Sequence, residues 1–297
     1  MFKLAVVGTV ATMASALYHP VNHDMVNEIK AKATTWIPHE VHENPLSKLS
    51  TEEILGLCGT KVGPIDANEE SPFPAPEEIT SVPATFDSRT AWSGCVHAIR
   101  DQGQCGSCWA FAATEALSDR FCIKSNRSVN VVLSPEDMVS CDTSNMGCNG
   151  GYLDRAWSYL ERTGAVADSC FQYSGAAKAC PSGSCPNGGT FHKYKCQPGT
   201  TVAARSISQI QSEISQHGPM ETGFTVYQDF YNYKSGVYRH TSGSSVGGHA
   251  VKIVGWGADH WIAANSWGTG WGENGFFRIA FGQCGFDSAV YACSPQL

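Results

Sequence analysis

Cys108 closes the stretch Gln102-Gly103-Gln104-Cys105-Gly106-Ser107-Cys108, a glycine-containing turn that runs into residues Trp109 to Cys122, which hold no Gly or Pro and are rich in Ala, Leu, Phe and Glu. That composition favours a helix. A thiol at a helix N-terminus meets unpaired N–H groups and the positive end of the dipole, and both favour the nucleophilic thiolate. A thiolate that attacks a carbonyl needs a partner to hold a proton and deliver it to the leaving group. His249, far downstream in Gly247-Gly248-His249-Ala250-Val251, is the candidate, and Asn265 in Ala264-Asn265-Ser266-Trp267-Gly268 is an acceptor that would orient the imidazole. Two other chemistries compete for Cys108: a structural disulfide, and a redox pair with Cys105, which belongs with a cytosolic βαβ pattern that this chain lacks.

The elements that must hold these residues fall into two groups. Ser134-Pro135-Glu136-Asp137 combines an N-cap, a proline at the first helical position and acidic residues in the first turn, and Leu153 to Arg162 reads as another helix, closed by Gly164. After about residue 195 the pattern turns β-like, with Gly223 to Tyr227, Ala250 to Trp256, His260 to Ala264 and Gly275 to Ala280 running apolar or alternating between turn residues. A helical lobe followed by a sheet lobe is an α+β arrangement. Upstream, residues 17–81 begin with helical and turn stretches (Met25 to Trp36, Leu46 to Leu57) and end in Pro72-Phe73-Pro74-Ala75-Pro76, an extended connector. They read as a removable segment ahead of a domain over 82–297; an ordinary interdomain linker is the alternative.

Met1 to Ala16 has Lys3, an apolar run and Ala14-Ser15-Ala16, the features of a cleaved signal peptide. Polar Tyr18-His19-Pro20 follow too soon for a membrane span. Export makes disulfides the expected use of the 13 cysteines, the odd count leaving at least one thiol free, and makes Asn126-Arg127-Ser128 a glycosylation acceptor. The net charge of −7 is misleading about partners, because 15 Lys/Arg and 16 Asp/Glu from Val82 onward nearly cancel. With no basic stripe or phosphate-binding loop, nucleic acid is not an expected partner.

Cys105-Gly106-Ser107-Cys108-Trp109 with His249 and Asn265 far downstream resembles the signature of the papain family. Leu57-Cys58-Gly59-Thr60, Phe86-Asp87-Ser88-Arg89, Cys148-Asn149-Gly150-Gly151-Tyr152 and Trp271 to Phe277 place the likeness in its cathepsin B-like branch, over nearly the whole chain after the leader. The resemblance implies a two-lobed fold with a cleft between the lobes, and peptide-bond hydrolysis through a thioester with no metal or organic cofactor. It implies an oxyanion hole from the Gln102 side chain and the Cys108 N–H, and substrate contacts from Gly106, Gly150, Gly151, Gly248 and Trp267. Asp287 stands where a Glu floors the pocket for the second residue before the cut, so that pocket is expected to accept Arg. The implied disulfides are Cys95–Cys122, Cys105–Cys148, Cys141–Cys180, Cys170–Cys185 and Cys196–Cys293, with Cys108 and Cys284 free and Cys58 in the pro-segment.

Further implied are peptide and protein substrates, the pro-segment as intramolecular inhibitor, cystatin-type inhibitors, a monomer, no membrane partner, and a place in the secretory pathway as a lysosomal, digestive-vacuole or secreted protein. The family's long insertion with a His-His pair, which receives a substrate's C-terminal carboxylate, has only a short counterpart between Cys170 and Cys196 with one histidine, His192. Endopeptidase cleavage is therefore expected over dipeptidyl carboxypeptidase cleavage. A catalytically dead binding homologue and a disulfide oxidoreductase are the remaining alternatives.

Overall fold

The structure, a computed structural model, describes residues 18–61 and 71–297. The expected signal peptide lies outside the described residues. Helix α1 (His23–Lys32) starts where the Asn22 side chain accepts the Met25 N–H, and it stops at Ala33, whose backbone is extended. β-branched Thr34 and Thr35 follow, and such residues favour extended backbone. The chain accordingly continues as strand β1 (Trp36–Pro38), where the sequence predicts mixed helical and turn structure through Trp36. β1 pairs antiparallel with β5 (Tyr233–Tyr238), Trp36 opposite Gly236, and buries Trp36 against Tyr238 with ring centroids 5.1 Å apart. A 3-10 turn (Pro45–Lys48) leads to α2 (Thr51–Gly56), which begins with a reciprocal capping box between Ser50 and Glu53.

The helical lobe holds α3 (Ser88–Ala91), α4 (Cys108–Lys124), α5 (Pro135–Cys141) and α6 (Leu153–Arg162). Every residue of α4 from Cys108 to Cys122 is buried, as expected of a core helix with no solvent-facing stripe. The second lobe is a sheet built on β3 (Val202–Ala204), β4 (Met220–Tyr227), β5, β6 (Ser245–Trp256), β7 (His260–Ala264), β8 (Phe276–Ala280) and β9 (Val290–Ala292). Its order is β1-β5-β8-β7-β6-β4-β9-β3, with β2 (Phe86–Asp87) paired to β6; among the strands of the described residues only β5 and β8 run parallel. Helix α7 (Ile207–His217) was not expected in this β-like half. Its sequence signals are a Ser206 side chain that accepts the Gln209 N–H and buried Ile210 and Ile214, four apart on one helix face.

Three buried ion pairs fix α4 against the sheet lobe, one of them Lys252 with Glu115 at 3.8 Å. Lys252 of β6 meets Asp119 of α4 at 2.7 Å, and Arg120 meets Glu213 of α7 at 2.8 Å while donating to the carbonyls of Pro219, Gly218 and Cys293. Losing one partner of such a pair leaves a buried charge uncompensated, at a cost of about 3–5 kcal/mol. The relative position of the helix that carries Cys108 and the strand that carries His249 is thus specified from inside the core. Disulfides join Cys95–Cys122, Cys105–Cys148, Cys141–Cys180, Cys170–Cys185 and Cys196–Cys293, the pairs that the resemblance implies, and Cys58, Cys108 and Cys284 are free.

Candidate active site

Cys108 is the first residue of α4, fully buried, on a turn that is fastened twice. The Cys105–Cys148 disulfide fastens it covalently, and Gly106 N–H donates to the Cys148 carbonyl at 3.0 Å. Gly106 admits this approach because a side chain there would press into that same carbonyl. His249 is delivered from the other lobe by β6, in register with Phe224 of β4. Asn265 follows β7, and its Oδ1 accepts both the Ser266 N–H at 2.8 Å and His249 Nε2 at 2.7 Å. Accepting a main-chain N–H identifies that atom as the amide oxygen. His249 Nε2 therefore carries the hydrogen of this bond, and Nδ1 is the ring nitrogen left for other work.

Nδ1 is buried and meets no partner at ordinary hydrogen-bond geometry. The imidazole is nevertheless near enough to act on the thiol. Burial alone would push the Cys108 thiol up; the His249 charge, with hydrogen bonding from His249, Thr60 and the main chain at Ala250, more than offsets it and brings the thiol down from 9.0 to about 7. Cys58 and Cys284 behave oppositely, burial pushing each up to about 12. Among the three free thiols, Cys108 alone is set up as a thiolate near neutral pH.

Trp267 covers the His249–Asn265 bond, its ring 4.7 Å from the imidazole. Gln102 is fully buried; its Oε1 accepts the Ser266 hydroxyl at 2.7 Å, and its Nε2 donates to the carbonyls of Cys105 at 2.8 Å and Leu57 at 3.0 Å. An amide nitrogen has two hydrogens. One points to its own loop and the other to a carbonyl of the N-terminal segment.

That segment continues along the cleft. Gly151 N–H donates to the Gly59 carbonyl at 3.0 Å, Lys61 N–H to the Gly151 carbonyl at 2.9 Å, and Thr60 N–H to the Gly248 carbonyl at 3.0 Å. Gly150 has a φ of 110°, and a side chain there would collide with the Gly59 carbonyl. Thr60 Oγ1 lies 3.1 Å from Cys108 Sγ. The structure thus gathers Cys108, His249, Asn265, Gln102, Gly106, Gly150, Gly151, Gly248 and Trp267 in one region. Sequence reasoning gave no role to Ser266, which orients Gln102, or to Thr60. The Leu57-Cys58-Gly59-Thr60 motif marked the stretch without saying what it touches.

Asp287 has a different engagement: its Oδ2 accepts the Gly282 N–H at 2.8 Å and caps that turn. Asn126 is exposed on the turn after α4, with a φ of 50°. Among the described residues, no group of three or more His, Cys, Asp and Glu side chains is placed to hold a metal ion, and no helix is long and apolar enough to cross a membrane.

The comparisons agree in one direction. The family model described as papain family cysteine protease matches residues 82–294. Cathepsin B-like cysteine proteinase 4 of Caenorhabditis elegans is 45% identical over 256 residues, 73% of this chain and 76% of the relative. The gut-specific cysteine proteinase of the same organism is 44% identical over 243 residues, 72% of this chain and 74% of the relative. Among solved structures, procathepsin B S9 from Trypanosoma congolense superposes with a TM-score of 0.84 at 28% identity, covering 94% of this chain and 100% of that one.

Proposed function

This chain belongs to the papain family of cysteine proteases, and we propose that Cys108 attacks a peptide carbonyl as a thiolate while His249 protonates the leaving amine. The C–N bond breaks as the thioester forms, and His249 then takes a proton from the water that hydrolyses it. Asn265 keeps Nδ1 toward the thiol. Gln102 Nε2, with the Cys108 N–H, stabilises the oxyanion, and losing one such donor typically costs about 10²–10³ in rate. The observation that carries this reading is the Cys108 thiol lowered to about 7 beside an imidazole whose other nitrogen is held by Asn265. Cys108→Ala should leave a folded precursor without peptide-cleaving activity; residual activity within tenfold of wild type would overturn the assignment.

Residues 17–81 act in this reading as a pro-segment that inhibits by using the catalytic donors without presenting a cleavable bond. Attack requires a carbonyl whose oxygen is at the Gln102 amide and whose carbon, one bond away, is at Cys108 Sγ. Here the carbonyl at Gln102 belongs to Leu57, and the group at Sγ is the Thr60 side chain. No single peptide bond is offered to both. Five disulfides and an exposed Asn126 sequon suit passage through the secretory pathway to a lysosomal, digestive or extracellular site, with a glycan on Asn126.

The short stretch between Cys170 and Cys196 supports endopeptidase cleavage, since its His192 packs on Tyr194 at 4.5 Å rather than forming part of a histidine pair. Comparing a free-carboxylate peptide with its amidated twin tests this; preferential release of C-terminal dipeptides from the former would reverse it. Asp287 biases the pocket for the second residue before the cut toward Arg, weakened by its bond to Gly282. Selective loss of Arg-Arg over Phe-Arg reporter cleavage in Asp287→Ala supports that role, and an unchanged ratio removes it.

A further inference from the structure

The proposal concerns the leaving-group side of the cleft and rests on the peptidase reading. The leaving amine takes its proton from His249, so the residue after the cut must lie on the His249 side of the thiol. Trp267 forms the wall there, and Tyr231 is stacked on Trp267, ring centroids 5.4 Å apart and planes 21° from parallel. The Tyr231 carbonyl accepts from Trp271 Nε1 at 3.2 Å and from Asn44 Nδ2 of the N-terminal segment at 3.0 Å; the Trp271 bond and the Trp267 stacking are the two that do not depend on that segment. Its hydroxyl has one hydrogen-bond partner among the described residues, the Cys58 thiol of the N-terminal segment, at 3.1 Å. Cys58 Cβ also sits where a side chain on Gly247, two residues before His249, would touch it.

Removing residues 17–81 takes Cys58 away and leaves an oriented phenol hydroxyl without its partner, on a wall that is otherwise aromatic. The ordinary range of a phenol, about 10, already lies above a working pH near neutral, so the Tyr231 hydroxyl is neutral there and is both donor and acceptor. We propose that Tyr231 is a specificity-determining residue that selects, as the first residue after the cut, a side chain with a hydroxyl one bond beyond Cβ, namely Ser or Thr. The geometry is that of Cys58, whose polar atom is also one bond beyond Cβ. Oxygen is a better hydrogen-bond partner than the thiol it replaces. A buried hydroxyl facing an apolar side chain loses its bond, and an apolar leaving residue is disfavoured for that reason.

The step that reads this cleanly is acyl transfer. In the processed enzyme, a reporter whose leaving group is an aromatic amine, not an amino acid, forms the thioester on Cys108 as its C–N bond breaks and the amine departs with a proton from His249. An added amino-acid amide then competes with water: its nitrogen attacks the thioester carbonyl, an amide bond forms, the C–S bond breaks to return the thiolate, and the amine proton passes to His249. The ratio of amide to hydrolysis product is taken within one acyl-enzyme, so any change in the rate at which that acyl-enzyme forms cancels. Serinamide is expected to exceed alaninamide, and threoninamide to exceed valinamide, by about three- to tenfold, the range of one neutral hydrogen bond.

In Tyr231→Phe both preferences should fall to near unity. Equal partitioning of Ser with Ala and of Thr with Val in the wild-type enzyme overturns the proposal and needs no variant. So does a preference that survives in Tyr231→Phe. Failure of the wild-type enzyme to cleave the reporter at all contradicts the peptidase reading itself, and this inference with it.

Discussion

Two of the places where the N-terminal segment touches the rest of the molecule are built differently. At β1 it adds a strand to the sheet edge and buries the Trp36 indole, whose Nε1 donates to the Arg239 carbonyl at 3.0 Å. At Leu57 to Lys61 it lies in the cleft, held by main-chain hydrogen bonds to Gly151 and Gly248, by Gln102, and by the Thr60 contact with Cys108. The first place has area and aromatic packing but touches nothing catalytic. The second occupies the groups that the proposed mechanism uses, through bonds that a substrate would make in that reading. Affinity and inhibition are thereby separated along one short segment, and each is open to a different perturbation.

The largest expected effect is at the anchor. Trp36→Ala removes a buried indole, a change that costs about 3–5 kcal/mol in a core, and should weaken docking on the order of a hundredfold or more. The precursor would then process itself rapidly at neutral pH, as followed by gel mobility; unaltered processing would show that β1 is not the anchor.

Gly59→Ala should act at the cleft instead. Its Cβ would collide with the Gly106 carbonyl, and overpacking of this kind costs about 1–3 kcal/mol. Hydrogen exchange should report a loosened Leu57–Lys61 stretch with β1 protection retained. Loss of protection at both places would mean that they are one cooperative unit.

The smallest effect expected is a shift in pH dependence, and it comes from the anchor side. His39, next to β1, is buried with both ring nitrogens unpartnered, and its main-chain N–H donates to the Asn232 carbonyl at 2.7 Å. Burial, and then the Lys234 charge, lower its imidazole from 6.5, while Glu43 partly opposes them. An imidazole lowered on docking stabilises the docked segment fully above about 6.5, and that contribution is lost as pH falls through the lower docked value. Carboxylates of the segment act in the same direction but in a more acid window. Glu43 is lowered from 4.5 first by its hydrogen bond to Lys234 across the interface, so its contribution is lost only below about 4.5; Glu40 is lowered by Lys30 of the same segment and does not report docking. His39→Leu should therefore move the onset of self-processing to lower pH by a few tenths of a unit. An unmoved onset would leave acid release to the carboxylates.

The catalytic side of this arrangement was legible because its signals are local. A turn running into a Gly-free, Pro-free stretch places Cys108 at a helix start, the apolar run from Ala250 marks the strand that carries His249, which in the structure already begins at Ser245, and Ser-Trp-Gly after Asn265 marks the end of β7. The inhibitory side was not. Nothing near Leu57 indicates that its carbonyl meets an amide on Gln102, and nothing near Trp36 indicates a strand partner at Gly236. Those are pairings between distant stretches, which composition and periodicity do not encode. The same limit hid Tyr231: as a sequence feature it is one aromatic residue among several from Tyr227 to Tyr238, and its place beside Trp267 and Cys58 arises only when the two lobes and the segment come together.

The central claim is that the groups used for catalysis are those that the N-terminal segment occupies. The most direct measurement is the second-order rate of iodoacetamide alkylation at Cys108, mapped by mass spectrometry, in the precursor and in the processed protein at pH 7. The processed protein should react at Cys108 and lose peptidase activity one-for-one with the label, while Cys108 in the precursor is protected by on the order of a hundredfold. Equal labelling of Cys108 in both forms, or activity that survives full labelling, would contradict the account.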